Sequence, residues 1–175
     1  SVGSEDVPFH SAPLRESLAA GLLINTGFSL EGYSGEEAEV WVDPMCGSGT
    51  LCIEAALLAC NTAPALIKLE KLKSSESFSK SRTPLQALFS CARWGDDGAE
   101  EGLSDILDDA RRKDRRQGSR VPLILFLGSD IDGKAINIAS NSAKAAGVQG
   151  LCKFEKVACE DLDLSPHIIQ ETMNR

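Results

Sequence analysis

The chain has 175 residues, 42% hydrophobic and 25% charged, ordinary globular values for one domain with a real core. Its net charge is −8 and its isoelectric point about 4.8, so no global basic field draws it to nucleic acid. No apolar run approaches the length of a membrane span, and residues 1–10 do not form a signal peptide.

Six cysteines, at positions 46, 52, 60, 91, 152 and 159, include no CxxC pair, so zinc spacing is absent and no metal is expected. They read as reduced, mostly buried thiols of an intracellular protein, cytoplasmic or organellar rather than secreted. His10 and His167 stand alone and read as surface or loop histidines.

Along the chain, Ser11 can cap a helix with Pro13 in its first turn. Leu14, Leu18 and Leu22 recur at helical spacing, with Gly27 as terminator, and this helix is expected to pack on a sheet. Residues 32–39 form an acidic turn into the stretch that organises the rest, residues 40–60, VWVDPMCGSGTLCIEAALLAC. Val40-Trp41-Val42 reads as the end of a buried strand, Gly47 and Gly49 as a tight loop, and residues 51–60 as a helix. Strand, glycine loop and helix N-terminus form a phosphate or cofactor cradle in an α/β sheet.

The loop's other residues decide among ligands. A Walker loop would place a lysine before Thr50, and none is there. A dinucleotide fingerprint wants a third small residue where Cys52 stands, and an acid about 20 residues on, whereas the matching acid here lies far downstream. Asp43, just ahead of the glycines, would repel a pyrophosphate and attract the ammonium of an amino-acid ligand through a charge-assisted hydrogen bond. S-adenosylmethionine carries such an ammonium and suits the cradle best. An NAD-type domain and a non-catalytic scaffold remain as alternatives.

Past the cradle helix, Asn61-Thr62-Ala63-Pro64 breaks the pattern, and residues 68–84, rich in serine and lysine, read as mostly exposed loop. A helix is predicted over 103–117, with Ser104 near its start, Leu103, Ile106, Leu107 and Ala110 as its apolar stripe, and Gly118 as its stop. Its aspartates come first, and Arg111, Arg112, Lys113, Arg115 and Arg116 come last, an order that complements the helix dipole. The same arginines could grip RNA phosphates, although dipole matching already explains the order. Leu123 to Leu127, LILFL, is a continuous apolar run of the kind found in doubly covered parallel strands, and it ends in Gly128-Ser129-Asp130. A helix is predicted over 133–146 with Ile136, Ala139, Ala143 and Ala146 on one side, closed by Gly147. A third, weaker strand over 152–158 runs to Glu160-Asp161. Alternating strands and helices give a Rossmann-like parallel sheet, with Asp43, Asp130 and Asp161 on its carboxyl rim.

The octet Asp43-Pro44-Met45-Cys46-Gly47-Ser48-Gly49-Thr50, followed by Ile53-Glu54-Ala55-Ala56, resembles the nucleotide-binding motif of the THUMP-associated RNA methyltransferases. Within them it is most similar to the ribosomal RNA large subunit guanine-N2 methyltransferases. The likeness extends through residues 12–16, 61–64 and 128–132. It implies the class I S-adenosylmethionine-dependent methyltransferase fold, here the N-terminal, cofactor-binding half as one partial domain over 1–175. That domain would comprise an N-terminal helix region (1–31), the glycine-loop unit (39–60), an excursion with the basic-ended helix (61–120) and the second and third strands (121–165).

The resemblance assigns Asp43 to the methionyl ammonium, Asp130 to the ribose hydroxyls, Ile131 to the adenine face and Asp161 to the adenine amine. Pro44, Cys46, Gly47, Ser48, Gly49 and Thr50 would line the cofactor, with Ser11 and Leu14 near its methionyl end. Asp132 reads better as a cap of the following helix. RNA, ribosomal RNA above all, is the implied partner. The family's Asn/Asp-Pro-Pro-Tyr motif, which holds the target base, is absent, so no catalytic residue is assigned. The expectation is a fragment or short form that holds cofactor without methylating alone, and whose unpaired strand edge could pair with a second copy.

Overall fold

The structure, a computed structural model, describes residues 14–28, 39–74, 88, 89, 99–116 and 123–167. The chain divides into two compact units, one made of Ser1–Leu58 with Pro122–Arg175 and the other of Ala59–Val121. Each is described by itself.

The first unit is built on three parallel strands, β1 (Glu39–Asp43), β2 (Ile124–Asp130) and β3 (Cys152–Lys156), in the order β1-β2-β3. Asp43 pairs in register with Gly128, and Asp130 with Lys156, so the strand ends form one rim. The central strand β2 is the most buried, with Phe126 and Leu127 fully enclosed, as its unbroken apolar run requires. Among the described residues β1 pairs on one side only, and its Trp41 and Val42 are each 37% exposed. Phe28 stacks edge-on against Trp41 at 4.7 Å and Phe126 at 6.2 Å.

Helix α1 (Glu16–Asn25) does not use the expected leucine face. Leu18 and Leu22 are exposed, whereas Ala19 and Leu23 are buried. The helix is apolar nearly all round, so spacing alone does not choose a face. Ser11 and Pro13, the expected cap and first turn, lie outside the described residues, and Arg15 occupies the N-cap without a side-chain bond. Gly27 ends the helix at φ +79°, with the Phe28 amide donating to the Leu23 carbonyl and the Gly27 amide to that of Ile24.

Helix α2 (Thr50–Ala59) follows the glycine loop. A later helix of this unit, Gly133–Ala146, buries Ala135, Ile136, Ala139, Ala143 and Ala146. Strand β3 stops at Lys156, short of the expected 158, and a 3-10 turn covers Cys159–Asp161. His167 is not a surface histidine. It is buried, with Nδ1 3.4 Å from the Lys153 ammonium and Nε2 3.5 Å from Glu155 on β3.

In the second unit, α3 (Pro64–Ser74) starts on a proline, where the missing amide costs nothing. It runs through residues 68–74, where serine- and lysine-rich composition predicts mostly exposed loop; the rest of that stretch, 75–84, lies outside the described residues. Helix α4 (Ala99–Lys113) begins before the expected Ser104, and the expected stop at Gly118 is likewise undescribed. Leu66 and Leu69 of α3 form a core with Leu107 of α4, and Ala110 packs beside it, whereas Ile106 is exposed. By chain order the helix over Gly133–Ala146 is α5. No single helix among the described residues is long and apolar enough to cross a membrane.

Candidate cofactor site

The site lies wholly in the first unit, where β1 and β2 end side by side. Asp43 closes β1, and its Oδ1 accepts from the Met45 amide at 3.3 Å, turning the chain into the loop. The loop then docks on the tip of β2 through three hydrogen bonds. The Cys46 amide donates to the Ser129 carbonyl at 2.8 Å, the Ser129 hydroxyl to the Pro44 carbonyl at 3.1 Å, and the Gly47 amide to Asp130 Oδ2 at 3.0 Å. Ser129 is fully buried, and sequence reasoning gave it no role beyond the strand-end motif. The Gly49 amide donates to the Cys46 carbonyl at 2.8 Å, and the Gly49 carbonyl accepts the first bond of α2 from Ile53 at 2.9 Å. Ser48 and Thr50 share a hydroxyl contact at 3.2 Å.

Asp130 Oδ1 accepts from the Asp132 amide at 2.9 Å, so backbone donors orient both its oxygens. Each oxygen keeps a second lone pair for another donor. Asp132 caps α5, accepting from the Lys134 amide at 2.8 Å. Ile131 stands 72% exposed beside Asp130. A Cβ added at Gly47 would meet nothing within 4 Å, so the loop is open there.

Burial pushes the Asp43 carboxyl above its ordinary range; the nearby Asp130 charge adds to the rise, and the Met45 amide opposes it. Burial likewise pushes the Cys46 thiol up to about 12, helped by the charges of Asp43 and Asp130. Cys46 is therefore a packed thiol, not a nucleophile. Burial also raises Cys52 and, to about 11, Cys60.

The remaining expected residues belong to other segments of the chain. Asp161 is exposed in the 3-10 turn beyond the end of β3, and among the described residues its carboxylate shares no hydrogen bond with the loop. Leu14 is half-buried ahead of α1, and Ser11 lies outside the described residues. No group of His, Cys, Asp and Glu that could hold a metal occurs among the described residues.

The arginines over 111–116 do not form one surface. Arg111 and Arg112 are exposed on α4 and pair with Asp108 and Asp109. Arg116 has a side chain only 10% exposed and binds Asp114 at 2.8 Å and Glu70 at 3.0 Å. Arg115 donates to the Ala59 carbonyl at 2.7 Å and through its amide to the Cys60 carbonyl at 2.8 Å, both within the second unit. Burial would raise the Asp114 carboxyl, but the Arg116 side chain and amide and the Thr62 hydroxyl outweigh it and hold it below its ordinary range. Only Arg111 and Arg112 keep the exposure that a phosphate contact requires.

Residues 6–170 match the family described as RMKL-like, methyltransferase domain. The ribosomal RNA large subunit methyltransferase K/L of Syntrophotalea carbinolica is 36% identical over 155 residues, covering 89% of this chain and 18% of that protein. Its namesake from Aliivibrio fischeri is also 36% identical over 155 residues, covering 86% and 18%. Among solved structures, a predicted N6-adenine-specific DNA methylase from Listeria monocytogenes superimposes with a TM-score of 0.59 at 26% identity, covering 90% of this chain and 33% of that one. A possible methylase from Clostridium difficile 630 gives 0.57 at 32% identity, covering 87% and 32%. SMU.472, solved with SAH, shares the fold with a TM-score of 0.55 at 24% identity, covering 87% and 32%. The chain spans about a fifth of the length of the curated relatives and about a third of the solved ones.

Proposed function

Because the chain belongs to the RMKL-like methyltransferase domain family, we propose that its loop over residues 43–50 binds S-adenosylmethionine for methylation of an RNA base. The RNA would be ribosomal RNA, in keeping with the relatives' names, and the base amine a guanine N2, as the likeness of the octet implies. The observation that carries the reading is the pair of carboxylates on neighbouring strand ends, Asp43 and Asp130, on either side of the open backbone at Gly47.

Four of the loop's backbone donors are already spent. The amides of Met45, Cys46, Gly47 and Gly49 all donate within the unit, so they offer no free cradle to a pyrophosphate. What faces outward is negative charge, suited to a ligand with an ammonium at one end and ribose hydroxyls at the other. Asp43 would hold the ammonium, Asp130 the hydroxyls with its remaining lone pairs, and exposed Ile131 would cover the adenine face. Asp161 would accept from the adenine amine, and Leu14 with Ser11 would border the methionyl end. When bound, the cofactor supplies an electrophilic methyl carbon on sulfur. This chain's residues bind and orient it, and Arg111 and Arg112, exposed beside Asp108 and Asp109, would contact RNA phosphates.

Calorimetric titration of the chain with S-adenosylhomocysteine tests the reading. Saturable heat with one site per chain is expected, and no heat at millimolar ligand would remove it. A companion variant separates capping from binding. Asp132→Ala should cost about 1 kcal/mol through the lost α5 cap and lower the melting temperature by a few degrees. Its affinity should stay within about twofold of wild type, because a cap variant leaves the Asp43–Asp130 pair in place; a larger loss would give Asp132 a ligand role.

A further inference from the structure

Strand β2 is filled with large apolar residues until Gly128, at the level of the loop. A glycine inside a strand weakens it unless another group needs the room. Here one does. A Cβ at Gly128 would lie 2.7 and 2.8 Å from ring atoms of Phe154 and 2.9 Å from Cys46 Sγ. Gly49, on the other side of the loop, meets the same ring, and a Cβ there would lie 2.8 Å from two of its atoms. Phe154 sits opposite Gly128 in the β2–β3 register, so its ring reaches both glycines from the neighbouring strand.

Resting on the cofactor reading above, we propose that Phe154 is a positioning residue of the cofactor site: its ring is the floor on which residues 46–49 rest. The floor sets how close the loop comes to β2. Cys46, in contact range of both Gly128 and the Ser129 carbonyl, carries that setting forward to Gly47, whose amide orients Asp130. Glycines at 49 and 128 are then the two places where the loop and the central strand yield space to one ring. A wider or missing floor would let the loop shift against Asp130, separating the two carboxylates that must address one ligand. Phe154 touches the ligand through neither; it acts through the loop.

The test is titration of the full chain with S-adenosylhomocysteine in wild type, Phe154→Leu, Phe154→Ala, Gly128→Ala and the double variant Gly128→Ala/Phe154→Ala. Phe154→Ala should weaken binding roughly tenfold with unchanged stoichiometry, the scale of lost outer-shell support, and Phe154→Leu should keep most of the affinity. Gly128→Ala should also weaken binding, and the double variant should recover much of the loss, because the added methyl takes room the ring has left. A merely structural Phe154 would lower the melting temperature and the competent fraction while the dissociation constant stayed fixed in every variant, and that result overturns the proposal. If wild type itself gives no heat, the cofactor reading falls, and amide exchange in the ligand-free protein still decides the floor. Faster exchange at Cys46 and Gly47 in Phe154→Ala, relative to Phe126 and Leu127, supports it; equal protection overturns it.

Discussion

Asp43→Asn is expected to weaken S-adenosylhomocysteine binding about 30- to 100-fold and, at the same time, to raise the melting temperature of the ligand-free protein. The loss follows from removing the charge from a hydrogen bond to an ammonium, worth about 2–3 kcal/mol, with each 1.4 kcal/mol counting tenfold. Asparagine keeps the side-chain oxygen that accepts from the Met45 amide, so the turn into the loop survives. The gain in stability has the opposite origin. Burial, with the Asp130 charge behind it, holds the Asp43 carboxyl above its unfolded value of 3.8, while the Met45 amide only partly offsets the rise. A group raised on folding contributes stability that is fully present below the unfolded value and lost as pH rises through the folded one. At neutral pH the ligand-free protein therefore carries a half-buried charge at a cost, which asparagine removes. Ligand affinity runs the other way: the ammonium needs the carboxylate, so binding is strongest at neutral pH and fades as pH falls through the raised value. Calorimetry from neutrality down towards 3.8, beside thermal unfolding of both proteins, checks each half. Equal affinity in the two proteins, or affinity flat with pH in wild type, would remove Asp43 from the ligand.

That opposition of stability and binding also marks which parts of the molecule were legible in its sequence. The octet around Asp43 was, because its chemistry is local: strand end, carboxylate, glycines and helix start follow one another without interruption. Strand β2 and helix α5 were legible for a similar reason, an unbroken apolar run followed by a capping aspartate and a regular alanine face. The buried face of helix α1 is not legible because leucines, isoleucine and alanines surround it, and only the tertiary neighbours decide that Ala19 and Leu23 face inward. The helix over residues 68–74 is not legible because the serine-rich stretch after them hides a period that Leu66 and Leu69 carry, in a segment whose lysines and glutamate are good helix formers. Arg115 and Arg116 look like a basic patch, yet their distant partners, Ala59 and Glu70, are set by folding and leave no trace in spacing. The supports of the site were hidden in the same way. Ser129 and Phe154 are ordinary residue types far from the octet, and the one signal that pointed to them was a glycine inside an otherwise bulky strand.

The two loop glycines should separate folding from binding. Gly49→Ala is expected to cost about 3 kcal/mol, the sum of overpacking and of a side chain forced to positive φ, and to lower the melting temperature by roughly 10 °C. The packing part is concrete: the new methyl would sit 2.8 Å from the Ala139 Cβ and from two ring atoms of Phe154, and Ala139 belongs to the buried face of α5, which cannot give way cheaply. The backbone part is equally direct, since Gly49 sits at φ +75°. Gly47→Ala meets only the second penalty. Its φ is +52°, and nothing lies within 4 Å of the added methyl, so the variant should fold with a loss of about 1 kcal/mol. The methyl instead projects into the space assigned to the ligand, and S-adenosylhomocysteine binding should be lost in a protein that still unfolds cooperatively. Thermal unfolding and titration of the two variants side by side provide the check. A Gly49→Ala protein melting within about 2 °C of wild type would contradict the close packing at the loop. A Gly47→Ala protein that binds normally would move the ligand off it.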